Sequence, residues 1–212
     1  MSVMRTVRMS LVLPLGLVAT LAACSSSSGP SSSPTTSPTT TLPTLATGSI
    51  TCTNISGSLT FSPPLTTKGG SAESTAISLS AAACTTTGSN VTNVTGGSGS
   101  ATITSATNSC AGLLSSRQLT IDMTWAPSTT RKSVVTFSGY GGATGPSGGE
   151  GFSLPDKGGT TKVTGSFAGS DGGASTTATA YSGESGTQLL TACGSSAGLP
   201  SIQVTSGSLN LK

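Results

Sequence analysis

The sequence contains no histidine, and it is poor in charge and in aromatic side chains: 7% of its 212 residues are charged and 3% are aromatic. The missing imidazole excludes a Ser-His-Asp or Cys-His catalytic arrangement, a histidine metal site and a histidine pH switch. The formal charge of +3 falls to +1 once residues 1–23 are set aside, with seven Lys and Arg against six Asp and Glu. The electrostatic footprint of a nucleic-acid binder is therefore absent, and no nucleic-acid partner is expected. Large apolar residues are also scarce: from Ser49 to Lys212, Leu, Ile, Val and Phe together supply 28 of 164 residues. That is close to the composition at which disorder competes with folding. What the chain has in abundance is 40 Ser, 38 Thr and 29 Gly.

The first 23 residues read as an export signal. Arg5 and Arg8 give a positive start, and the apolar run from Met9 to Ala23 is 15 residues long. A bilayer span needs roughly 20 residues, and Pro14 and Gly16 weaken the run further, so cleavage is expected rather than spanning. At its end, Leu21-Ala22-Ala23-Cys24 resembles the lipobox of bacterial lipoproteins. The resemblance implies diacylglycerol on Cys24, cleavage before it, and a membrane partner reached through the lipid anchor, on the extracytoplasmic face of a bacterial envelope. Two acyl chains meet the requirement that stable anchoring takes two signals. The alternative is an ordinary secretory signal ending near Ala23, with Cys24 incidental. Residues 25–48 hold 15 Ser or Thr, four prolines and no charge. Such a segment cannot bury enough apolar surface to offset its ordering entropy, so residues 24–48 are expected to be a lipidated cysteine and a disordered tether, either O-glycosylated or bare.

Residues 49–212 are the expected folded domain. Its low net charge and its four cysteines, Cys52, Cys84, Cys110 and Cys193, argue for folding in an extracytoplasmic compartment. The apolar residues recur with period two, as in Leu119, Ile121 and Met123, with Thr or Ser between them and Gly clusters between runs. This predicts strands over 50–61 (interrupted at Ser56-Gly57), 74–80, 100–105, 118–126, 132–139, 161–168, 175–182 and 202–211, with a turn of helix open to Ala81–Ala83. The fold class is all-β: an antiparallel β-sandwich or partly open barrel of about eight strands. The order Gly57, Cys84, Gly99 is echoed by Gly165, Cys193, Gly207, either by coincidence or as two pseudo-repeated halves. Four cysteines permit three pairings. If the first two strands form a hairpin with Leu59 facing Ile77, opposed residue numbers sum to 136, Cys52 lies opposite Cys84, and Cys110 is left to Cys193.

From Cys52 onward the chain also resembles a group of uncharacterised secreted proteins and lipoproteins of actinomycetes. The likeness rests on GSLTFSPPLT after the first cysteine, SCAGL, IDMTW, VTGSFAG and the closing VTSGSLNL. It implies an exported all-β domain and no established activity.

Candidate chemistry is thin. Gly145-Pro146-Ser147-Gly148-Gly149 matches the G-x-S-x-G elbow without the strand-to-helix context or the histidine base that the elbow needs. Lys68, Lys132, Lys157 and Lys162 leave a Ser-Lys dyad formally open. The carboxylates are Glu73, Asp122, Glu150, Asp156, Asp171 and Glu184, and alternation places Asp122 on the wet face of its strand. No catalytic, cofactor-binding or metal-ligating set is expected, and no cofactor. Trp125 reads as core. The long connection from Gly139 to Gly159 is the expected binding loop, presenting Tyr140 and Phe152. The leading expectation is a non-enzymatic interaction or structural domain, its partner a cell-wall or other envelope component. The alternatives are an enzyme acting on wall glycans and a small-molecule carrier with an enclosed apolar cavity.

Overall fold

Leu119, Ile121, Met123 and Trp125 are buried while Thr120, Asp122 and Ala126 are exposed, the period-two burial that alternation dictates for a half-buried strand. A computed structural model describes residues 42–91 and 93–212. The export signal, Cys24 and the tether as far as residue 41 lie outside the described residues. The strands are β1 (Thr47–Leu65), β2 (Glu73–Ser89), β3 (Gly96–Ser105), β4 (Leu119–Ala126), β5 (Ser133–Phe137), β6 (Gly141–Thr144), β7 (Glu150–Leu154), β8 (Thr161–Gly165), β9 (Thr177–Ser182) and β10 (Leu199–Leu211). A 3₁₀ turn, Cys110–Leu114, and one helix, α1 (Gly186–Gly194), complete the set.

All ten strands pair antiparallel in one sheet of order β6-β7-β9-β10-β1-β2-β3-β4-β5-β8. The fold is therefore all-β with antiparallel pairing, as the sequence predicts, with ten strands where about eight are expected. Connection lengths force the sheet to curl. In a flat sheet β5 and β6 would lie eight strand spacings apart, about 38 Å. Residues 138–140 alone join them, and that link spans at most about 14 Å. The sheet folds back on itself, and its two halves face each other as sandwich layers do, around a core that includes Ile50, Phe61, Trp125, Phe137, Phe167 and Leu211.

The register of the first hairpin follows the sum of 136: Leu59 pairs with Ile77 and Cys52 with Cys84. Both disulfides form as the sequence suggests, Cys52 to Cys84 and Cys110 to Cys193. β1 is not interrupted at Ser56-Gly57. The irregularity comes earlier, where buried positions change from even (Ile50, Cys52) to odd (Ile55, Leu59, Phe61). β2 changes at the same level, between Cys84 and Ala81, and Ala83 there has a φ of 51°. Ala81–Ala83 accordingly lie in a strand, not in a turn of helix. Bending both strands together keeps their apolar side chains inside the curl on either side of the bend.

Three further expectations need correction. The folded part begins before Ser49: Thr44 exchanges backbone hydrogen bonds with Thr129 and Arg131, and Ala46 is buried with its N–H donating to Ser166 Oγ at 3.1 Å. Thr44 to Gly48 thus belong to the domain rather than to the tether. The echoed segments do not occupy equivalent elements, since Cys84 is in β2 and Cys193 in α1, so the halves are not structural repeats. Finally, residues 139–159 are not a structureless loop, because they form the hairpin β6–β7.

Trp125 is core, 2% exposed, in edge contact with Phe167 at a ring separation of 5.1 Å. β3 makes room for it. A side chain at Gly97, which pairs with Trp125, would collide with the indole, as one at Gly99 would with Met123.

Candidate functional site

The two inner faces do not fill the space between them. They leave a cavity of about 100 Å³. One wall comes from Leu59 and Phe61 of β1, Ile77 of β2 and Met123 of β4, and the other from Phe152 of β7, Ala180 of β9 and Leu209 of β10. For scale, an apolar cavity of about 150 Å³ stays dry and admits benzene. Its origin lies in composition: with so few large side chains, small ones such as Ala178 and Ala180 stand on the inner face of β9, where a Leu or Ile would close the gap.

Tyr140 and Phe152, expected on an exposed loop, are instead brought together inside. Tyr140 is 8% exposed and Phe152 half-buried, their rings edge to face at 5.5 Å, and both line the cavity. Their place follows from the hairpin: Tyr140 sits in the three-residue crossing from β5 to β6, and Phe152 pairs with Ala180 on β9.

One end of the cavity is polar. Glu73, Thr75, Ser105, Thr107, Ser109 and Arg117 line it, contributed by the start of β2, the end of β3 and the connection to β4. Glu73 is 6% exposed, and its Oε1 accepts from the Thr75 hydroxyl at 2.6 Å. Arg117 is half-buried, with Nη1 donating to the Thr104 carbonyl at 3.4 Å. Burial raises the pKa of the Tyr140 phenol, Arg117 opposes the rise, and Glu73 adds to it. The phenol therefore stands within the fields of both charges.

The β3–β4 connection is held firmly. Asn108 is buried, its Nδ2 donating to the Pro64 carbonyl at 2.8 Å and its Oδ1 accepting from Ser71 N–H at 3.1 Å. The Cys110–Cys193 bridge ties the same connection to α1.

Other sequence candidates are scattered. Gly145–Gly149 forms the tip of the β6–β7 hairpin, closed by Gly145 N–H donating to the Gly149 carbonyl at 2.7 Å, and leads into no helix. Lys68, Lys132, Lys157 and Lys162 are all exposed. Asp122 faces outward on β4, while Glu150 and Asp156 are half-buried on β7 and just beyond it. Among the described residues no three His, Cys, Asp or Glu side chains converge to hold a metal ion, and no helix is long and apolar enough to cross a membrane.

In the sequence Glu73 stands only as one of six carboxylates, and Arg117 is not marked out. For Glu73 a signal exists: Glu73, Thr75, Ile77 and Leu79 share one phase of the alternation, which puts the acid on the same face as the core. Arg117 carries no such signal, because it lies outside any strand. Compared with protein-family models, curated proteins and solved structures, the chain matches none.

Proposed function

We propose that this chain is an exported, lipid-anchored envelope protein whose β domain binds a small apolar molecule without catalysing its conversion. The cavity carries this reading: an apolar interior with a few convergent polar groups at one end is the usual form of a small-molecule site. The Leu21-Ala22-Ala23-Cys24 motif and the Ser/Thr/Pro-rich segment after it support the anchored, extracytoplasmic location. Glu73 is the one carboxylate among the residues that line the cavity, which weighs against the paired carboxylates that glycan hydrolysis requires.

The test is native mass spectrometry of the purified protein for a retained apolar molecule, together with an Ala180→Leu variant that fills the void. A retained species lost in Ala180→Leu supports the reading. Empty protein, with small apolar probes binding equally to both forms, overturns it.

A second reading rests on the outer face. Gln203, Ser58, Ser78 and Ser100 stand in one row across β10, β1, β2 and β3, which Asp122 continues on β4, a polar, hydroxyl-rich surface suited to a wall polymer. Co-sedimentation with cell-wall material, undiminished in Ala180→Leu, would favour it.

A further inference from the structure

The polar end of the cavity holds one acid and one base, Glu73 and Arg117, so its formal charge is zero. Glu73 is unusual for a group so deeply placed. A carboxylate can accept about four hydrogen bonds, yet among the described residues the Thr75 hydroxyl alone donates to this side chain. Glu73 lines the cavity, so its remaining acceptor capacity is available to a donor that enters there. The phenol of Tyr140 and the guanidinium of Arg117 supply donors on the same cavity.

Resting on the binding function proposed above, we infer that the ligand is an uncharged amphiphile bearing a hydroxyl group. Its apolar part occupies the space between Phe61, Met123 and Phe152, and its hydroxyl donates to Glu73 while accepting from Tyr140 or Arg117. A carboxylate head would gain Arg117 but meet the like charge of Glu73, and an ammonium head would gain Glu73 but meet that of Arg117, so neither has a net charge to pair with. Either would also lose more hydration on entry than a neutral hydroxyl loses. A cavity of about 100 Å³ takes only a short chain or the end of a long one.

The experiment uses the full-length protein and four probes of matched size, 1-hexanol, hexanoate, hexylamine and n-hexane, with affinities read from NMR chemical-shift titrations. Hexanol is expected to bind at least tenfold more tightly than hexanoate or hexylamine, and more tightly than hexane. Glu73→Gln should narrow the gap between hexanol and hexanoate to less than threefold. Should Glu73→Gln fail to fold, Arg117→Gln serves in its place: it should widen the gap at least threefold, because hexanoate loses a charge partner where hexanol loses at most one hydrogen-bond donor. Hexanoate or hexylamine matching hexanol, hexane matching hexanol, or gaps unmoved in the variant that folds would overturn the hydroxyl preference while leaving a cavity that binds. Absence of binding by all four probes would instead remove the proposed function itself.

Discussion

The indole N–H of Trp125 donates to Ser133 Oγ at 2.8 Å, and that hydroxyl in turn donates to the Ser166 carbonyl. Ser166 Oγ accepts from Ala46 N–H. This buried relay joins β4, β5, the end of β8 and the segment leading into β1, so two sides of the curled sheet share one polar thread.

Removing Ser133 should therefore cost more than its size suggests. Ser133→Ala leaves the buried indole N–H and the Ser166 carbonyl without their partner, a penalty of about 1–3 kcal/mol. Trp125 is the only tryptophan, so urea unfolding followed by its fluorescence reads both the loss of stability and any change at the site. A variant with an unmoved midpoint would show that the relay contributes nothing net.

The two disulfides should differ in worth. Cys52–Cys84 closes a separation of 32 residues and Cys110–Cys193 one of 83. Constraint of the unfolded chain then gives about 3.5–4 kcal/mol for the first and about 4.5 kcal/mol for the second. Paired Cys→Ser variants compared by urea midpoint should show the greater loss for Cys110–Cys193. The reverse order would mean that strain or residual structure in the unfolded state outweighs loop length.

Alkaline stability should depend on Tyr140. Burial, the largest influence on its phenol, raises the folded-state pKa above the unfolded value, so the native protein binds that proton more tightly than the unfolded chain does. The associated stability is intact below the unfolded value, near pH 10, and drains away as pH climbs through the folded one. Tyr140→Phe has no such proton to lose. Melting temperatures measured upward from about pH 9 should fall more steeply for the native sequence than for Tyr140→Phe, and parallel curves would refute the assignment.

Much of the fold was legible because period-two burial is a local property. Leu119 to Trp125 carry it openly, and once Leu59 is set opposite Ile77 the β1–β2 register and the Cys52–Cys84 pairing follow. What escaped depends on context. β6 and β7 are Gly-rich strands of four and five residues, too short to express a period. Helix α1 was missed although Ser185 and Gln188 form a reciprocal capping box at its start, a pattern readable as S-x-x-Q. Tyr140 and Phe152 were given the wrong environment, because their burial depends on how β5 and β6 are joined across the curl. The cavity could not be read at all, since a void is a mismatch of volumes between faces far apart in sequence.

β1 gives the molecule a direction. The chain enters at Thr44, while the polar groups of the cavity gather toward the other end of that 19-residue strand, where Thr75 pairs with Phe61 and Ser74 with Ser62. The point where the chain enters and the polar end of the cavity thus lie at opposite ends of the same strand.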